Sequence, residues 1–598
     1  HHNLLPLIRL DTLKIATLSV GEETLTPFQQ MLANFAAADH FNLREGFSSD
    51  ELEILKKRLN GYNLVIAGIH SLYESKTRRS MQVGNMQRMR TSRPYGVTDE
   101  LEALTDYLAK EKKTVMVCFG SPYGLGEFKN PVKPAGLIMA YQNDPLVQEL
   151  AAQLIFGAIG ARGKLPVTIG NIYRAGDGIP FEKVNRLKYT IPEETGVDSY
   201  RLAAEIDSVV NLALEKQAFP GCNVLVAKDG NVIFHKAYGF HTYEKIVPTR
   251  RDDLYDLASV TKICGGLPAV MKLYDEGKID PDQFVSTYFP DWKSRLFHPS
   301  NKSDITLREL YAHQSGLIPF LGFWKKTTKD GRLLSRWYAI EPDKRHSLCV
   351  AQGIYLDKRF LKTVFRDIRK SPLKNRGKYV YSDLPFVITP RLVENVSGAD
   401  FQQLLETSFY KPLGAPTLTY LPLRKFSPDR MVPTENDQYY RRQQLQGTVH
   451  DESAAVLGGI SGNAGLFASA NDLAKLMQMY LQQGNYGGIQ FLKATTLQEF
   501  NRVQFPQNNN RRGLGFDKPL LNNQSVKPED AYPTRLASPE SFGHSGYTGT
   551  FVWADPACNL VYIFLSNRVF PTRNNNLISD LNIRTGIQEV IYRNFYQK

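Results

Sequence analysis

Along the first 190 positions, short unbroken runs of Val, Ile and Leu alternate with stretches whose apolar residues recur at helical spacing. The runs predict strands over residues 13–20, 63–70, 114–120, 135–141 and 165–169, and the periodic stretches predict helices over 27–37, 49–59, 98–111 and 145–159. Strands that are apolar throughout, each followed by a helix, imply a parallel sheet covered on both faces. The sequence Gly176-Asp177-Gly178-Ile179-Pro180 interrupts this grammar, and the polar residues that follow, as far as Thr195, read as a linker. Residues 1–190 are therefore expected to form an α/β domain.

A second pattern begins at Asp198. A predicted helix over 199–216 leads into strands over 223–227 and 232–238, joined by Asp229-Gly230, a dipeptide that suits a tight hairpin because both positions tolerate positive φ. A further hairpin, 550–554 with 560–566 around Asp555-Pro556, lies near the end of the chain before a predicted helix over 577–595. An antiparallel sheet built from both ends of the segment, with a helical insertion between, gives an α+β domain over 196–598. The fold class expected for the whole chain is thus α/β, a parallel α/β unit followed by an α+β unit.

Composition narrows the classes of function. With 42% hydrophobic and 22% charged residues over 598 positions, the chain is that of a folded protein of at least two domains. No stretch of about 18 consecutive apolar residues occurs, so no transmembrane segment is predicted. The net charge of +13 is concentrated in two stretches. Lys76 to Arg93 holds six basic residues and no acidic one, and Lys358 to Lys378 holds nine against Asp367 alone. Both read as solvated loops, and without aromatic platforms or zinc-knuckle spacing they do not point to nucleic acid. Cys118, Cys222, Cys264, Cys349 and Cys558 form no CxxC pair and read as buried thiols rather than metal ligands. The chain opens His1-His2-Asn3 without Met or a signal peptide, so a native start further upstream is expected.

Candidate chemistry lies in the second segment. Ser259 and Lys262 are three residues apart at the start of a run in which Ile263, Leu267, Val270 and Tyr274 recur at helical spacing, with Gly277 as its stop. On one helical turn, the amine can take the serine proton, and burial is expected to favour a neutral, basic lysine. Ser371 with Lys374 and Ser408 with Lys411 share the spacing, so spacing alone does not single out Ser259. Two further elements do. Tyr381-Ser382-Asp383 follows in the middle of the segment, and His544-Ser545-Gly546 immediately precedes the last hairpin.

This ordered trio resembles the serine β-lactamase and penicillin-binding-protein superfamily, in the branch of class C enzymes, esterases and D-aminopeptidases. The runs Ile305 to Leu317, Gly459 to Phe467 and His544 to Gly549 are also similar to segments of that superfamily. The resemblance implies that Ser259 is the nucleophile, that Lys262 and Tyr381 share proton transfer, and that the backbone N–H groups of Ser259 and Tyr547 form an oxyanion hole. It places Asp383, His544, Ser545 and Gly546 at the substrate, requires no metal or organic cofactor, and leaves His313 and His450 as structural residues.

Residues 1–190 resemble the C-terminal α/β sandwich domain of glycoside hydrolase family 3. The resemblance rests on Asn3 to Leu7, Phe119 to Tyr123, Phe156-Gly157 and Gly163 to Val167. It implies a partner domain outside this chain, the glycosidase barrel that carries the nucleophilic carboxylate. Together the two resemblances imply a bacterial, periplasmic or otherwise extracytoplasmic fusion acting on peptidoglycan, with esters, amides or D-amino-acid-containing wall peptides as substrates. Two alternatives follow from the same residues. In one, the full-length protein works mainly as a β-N-acetylglucosaminidase or β-glucosidase, with the serine domain accessory. In the other, the serine domain binds wall fragments without turnover.

Two departures bear on substrate. Asp383 replaces an amide and is acceptor-only when ionised. His544 replaces a lysine, so a permanent cation becomes a group expected to titrate near ~6.5. Both point away from a true β-lactamase.

Overall fold

The computed structural model describes residues 4–72, 94–130, 132–294 and 300–596. The basic run from Lys76 to Arg93 lies outside these. The chain divides into two compact units. One comprises His1–Lys188 with Lys411–Ala415 and Gly487–Ile489, and the other comprises the remaining residues from Tyr189 onward.

The first unit is a five-stranded parallel sheet, built from β1 (Ile15–Val20), β2 (Ala38–Leu43), β3 (Leu64–Leu72), β4 (Thr114–Gly120) and β5 (Gly136–Met139) in the order β2-β1-β3-β4-β5. Helices α1 (Pro27–Ala33), α2 (Ser49–Leu59), α3 (Asp99–Glu111) and α4 (Pro145–Ile155) connect and cover it. The period of two along β1 sorts its side chains. Ala16, Leu18 and Val20 join a core with Leu52, Leu55 and Leu59 of α2 and Leu101, Leu104 and Leu108 of α3. Thr17 and Ser19 face the other way, toward Gln29 and Thr26 at the start of α1. Local signals fix the helix starts: Ser48 and Glu51 form a reciprocal capping box on α2, as Thr26 and Gln29 do on α1.

Two expectations fail in this unit. The predicted helix over 27–37 stops at Ala33, and the residues after it form the edge strand β2. Its Asp39, His40 and Asn42 hid it from a reading based on apolar runs. Residues 165–169 form no strand, because they find only an isolated bridge between Ile169 and Tyr173.

In the second unit, helix α5 (Ser199–Glu215) precedes the hairpin β6 (Gly221–Lys228) and β7 (Asn231–Gly239). Asp229 and Gly230 adopt φ of 53° and 77°, the left-handed pair their sequence anticipates. Further along lie β8 (Tyr255–Asp256), α6 (Leu267–Asp275), β9 (Leu466–Ala468), α7 (Ala470–Leu481), β10 (Phe542–Ser545), β11 (Phe551–Asp555), β12 (Leu560–Ser566) and α8 (Ile583–Tyr596). The five long strands of the main sheet run in the order β10-β11-β12-β6-β7, all antiparallel, so β12 near the C-terminus pairs with β6.

Leu202, Ile206 and Val210 of α5 and Ile587, Val590 and Ile591 of α8 pack on Val224, Val226, Tyr562 and Phe564 of this sheet. Every residue of α7 is buried. The predicted C-terminal helix is two, broken where Asn582 turns to φ 51°. Cys118, Cys222 and Cys264 are buried thiols as expected, but Cys349 and Cys558 are half-buried, and none is in a disulfide.

Candidate active site

The segment bearing Ser259 is not the single α-helix its spacing predicts. Ala258–Val260 is a 3-10 turn, Lys262–Gly266 a π-helical turn, and only then does α6 begin. The three-residue offset still brings the side chains together. Lys262 Nζ donates to Ser259 Oγ at 2.8 Å, and the Tyr381 hydroxyl donates to the same oxygen at 3.1 Å. Ser371, which shares the spacing with Lys374, is placed differently. Ser371 Oγ donates to the Ile368 carbonyl at 2.8 Å, while Lys374 is exposed.

Lys262 is completely buried, yet each N–H of its ammonium has an acceptor: Ser259 Oγ, Asp383 Oδ1 at 2.7 Å and the Asn463 carbonyl at 3.5 Å. Burial alone would lower its pKa, but the charge of Asp383 and the neighbouring Tyr381 outweigh it, and the pKa is raised. The neutral lysine expected from burial is therefore corrected to an ammonium. Asp383, expected to meet substrate, spends one oxygen on this ion pair.

Tyr381 is held on three sides. His313 packs on its ring at 4.7 Å between centroids, Arg512 lies 5.3 Å from the ring centroid and Lys262 5.1 Å from it. Burial raises the phenol's pKa, and the cations Lys262 and Arg512 pull against that rise. His313 Nδ1 accepts the Ser382 backbone N–H at 3.2 Å, which fixes the backbone between Tyr381 and Asp383 and leaves the imidazole proton on Nε2. This is a structural role, as expected.

His544 lies on β10, its ring 6.1 Å from that of Tyr381. Its Nδ1 donates to the Ser545 carbonyl at 2.7 Å. Burial, reinforced by Arg512 and Lys262, pushes its pKa down to about 3. The expectation of a group titrating near neutrality is corrected: burial holds His544 as a neutral imidazole around neutral pH.

Gly546 follows, and a Cβ there would lie 2.5 Å from the Leu257 carbonyl and would also strike Thr550 Oγ1, so only glycine lets this turn approach the nucleophile segment. Tyr547 opens to solvent, its side chain against Arg568 and His450 and its carbonyl accepting Arg568 Nε at 2.7 Å. Ser545 pairs with Phe551 across β10 and β11.

Three residues of the site carry no motif and were not anticipated. Arg512 is brought to Tyr381 from 131 positions further along the chain and also lies 3.5 Å from Asp517. Asp451 accepts from the Ala454 N–H at 2.7 Å and Asn463 Nδ2 at 3.1 Å, and burial together with Asp383 pushes its pKa up to about 6. Asp256, three residues before Ser259, is the third. Among the described residues no cluster of His, Cys, Asp and Glu could hold a metal ion, and no helix is long and apolar enough to cross a membrane.

Relatives named "Putative D-alanyl-D-alanine carboxypeptidase" include that of Salmonella agona, 30% identical over 400 residues, or 63% of this chain and 85% of the relative. The Salmonella gallinarum protein of the same name is 30% identical over 399 residues, with the same coverage. Among solved structures, EstCE1, a hydrolase with promiscuous acyltransferase activity, superposes with a TM-score of 0.47 at 19% identity, covering 65% of this chain and 98% of that one. The Beta-lactamase family model matches residues 206–584, and by that match the chain belongs to the Beta-lactamase family.

Proposed function

We propose that the protein is an acyl-serine hydrolase that cleaves D-amino-acid-containing peptides, amides and small esters derived from the bacterial cell wall. The observation that carries this reading is the convergence of Lys262 Nζ and Tyr381 Oη on Ser259 Oγ at 2.8 and 3.1 Å. Because Asp383 keeps Lys262 charged, Tyr381 is the group that gives up a proton to form the active state, its phenolate lying between the Lys262 and Arg512 cations. Ser259 Oγ then attacks the substrate carbonyl carbon while its proton passes to Tyr381 Oη. That proton next goes to the leaving amine or alcohol as the acyl-enzyme forms, and water reverses the sequence. The N–H groups of Ser259 and Tyr547 would meet the charge on the carbonyl oxygen, with Ser545 and Gly546 lining the substrate's edge.

The names of the relatives support D-alanyl peptides as the substrate class. In this reading the protein works outside the cytoplasm, and the N-terminal α/β unit is the sandwich domain of a family 3 glycosidase whose barrel lies outside this chain. The test is incubation with D-alanyl-D-alanine peptides and with a fluorescent acyl-serine probe. Release of D-alanine together with labelling at Ser259 supports the proposal, and the absence of both labelling and turnover favours the non-catalytic alternative.

A further inference from the structure

The carboxylate of Asp256 sits at the junction of three segments that surround Ser259. It is 3% exposed, and each of its oxygens holds one backbone N–H. Oδ1 accepts from Ala258 at 2.9 Å and Oδ2 from His450 at 2.6 Å. Its own carbonyl accepts the Thr548 hydroxyl at 2.7 Å, and the next carbonyl, of Leu257, accepts the Thr550 hydroxyl at 2.9 Å. One residue thus ties the nucleophile turn to the His450–Asp451 segment and to the turn that carries Tyr547.

The tie to Ala258 matters most. Ala258 has φ of 45°, a left-handed conformation that alanine adopts only under restraint, immediately before Ser259. The orientation of the peptide between Ala258 and Ser259, and hence the direction of the Ser259 N–H, depends on that conformation. A charge-assisted bond from Oδ1 to the Ala258 N–H holds it from the preceding side.

We propose that Asp256 is a positioning residue for the oxyanion hole: by pinning the left-handed backbone of Ala258, its carboxylate aims the Ser259 N–H at the point where the oxyanion forms. The inference rests on the acyl-serine reading, and it predicts where the loss appears when the restraint is removed. A misaimed N–H weakens the transition state more than the ground state, so the loss falls on kcat.

The test compares Asp256→Ala and Asp256→Asn with the same substitutions in an Ala258→Gly background, using a p-nitrophenyl ester. Glycine adopts positive φ without restraint, so it substitutes for what the carboxylate does. The expected result is a kcat about 100-fold lower for Asp256→Ala, the scale of losing one oxyanion donor, and a smaller loss for Asp256→Asn, with KM within about 3-fold. Ala258→Gly should then restore at least about 10-fold of the lost kcat in the Asp256→Ala background and most of the smaller loss in the Asp256→Asn background. Were Asp256→Ala to fail to fold, the Asn pair would give the same comparison. Loss confined to KM, or no recovery with Ala258→Gly, would overturn the proposal. An active Ser259→Ala protein would instead overturn the acyl-serine reading itself, which separates the two failures.

Discussion

Lys262 Nζ lies 2.7 Å from Asp383 Oδ1, slightly nearer than the 2.8 Å that separates it from the serine it serves. The resting site is therefore a charged pair with a neutral phenol beside it, and in the proposed mechanism activity requires the loss of one proton from the Lys262–Tyr381 pair. Asp383 raises the pKa of both groups. It follows that kcat/KM for a neutral ester should climb with pH on the alkaline side of neutrality. Replacing Asp383 by Asn removes the charge that opposes burial of the ammonium, so the rising limb should move toward lower pH by roughly a unit or more. A pH–rate series on p-nitrophenyl acetate measures this, and an unmoved limb would show that Asp383 does not set the protonation of the pair.

Ser259→Ala should abolish ester hydrolysis and probe labelling while leaving the melting temperature within a few degrees of the parent, since the side chain makes no apolar packing contribution of note. Ser371→Ala should keep full activity. Ser371 Oγ donates to the Ile368 carbonyl, and Lys302 Nζ, the amine that contacts Ser371, donates to the Ser371 and Arg369 carbonyls rather than to that hydroxyl.

That contrast marks what could be seen in the chain beforehand. The Asp229-Gly230 hairpin was legible because its cause is local, the backbone conformation of two residues, and the starts of α1 and α2 were legible from the apolar periodicity that begins there. The trio of Ser259, Lys262 and Tyr381 was legible because its order and neighbours are distinctive. Arg512, Asp451 and Asp256 were not, because an arginine or aspartate becomes a site residue only through partners that lie far away in sequence, such as Tyr381 for Arg512 and His450 for Asp256. The protonation of Lys262 and His544 was misread for the same reason. Burial was foreseen for the lysine but its carboxylate partner was not, and for the histidine neither burial nor the nearby cations were.

The buried histidines predict a loss of stability in acid. His544 is pushed down to about 3 and His313 well below its ordinary value, both chiefly by burial and secondly by Arg512. Each stays neutral in the folded protein but protonates in the unfolded chain near ~6.5, so unfolding takes up protons as the pH falls below that value. The contribution of His544 is fully present above pH ~6.5 and declines as the pH falls toward ~3, by up to about 1.4 kcal/mol per pH unit, and His313 adds a decline of the same sign. Chemical denaturation from pH 7 to 4.5 should show this slope, and His544→Gln should make it shallower by about one proton. An identical slope in the variant would mean that His544 titrates normally in the fold.

The same neutral His544 decides the relation to β-lactams. In the element His544-Ser545-Gly546 a lysine would present a permanent cation to the substrate's carboxylate, whereas the imidazole here is buried, uncharged and turned by its Nδ1 onto the Ser545 carbonyl. Asp383 adds a carboxylate where an amide could have donated a hydrogen bond, and its attraction is directed to Lys262. A β-lactam carboxylate entering this site meets neither of those donors, while an ester or a peptide amide needs only the nucleophile, the proton relay and the oxyanion donors. Nitrocefin should therefore be turned over at least about 100-fold less efficiently than a p-nitrophenyl ester, a penalty of roughly 2.7 kcal/mol in transition-state binding. D-alanyl peptides should be cleaved at rates between the two, because their C-terminal carboxylate also goes without a cation at His544. Steady-state kcat/KM values for the three substrates on one preparation check the order, and nitrocefin hydrolysis matching or exceeding that of the ester would show that a cation other than the missing lysine receives the carboxylate.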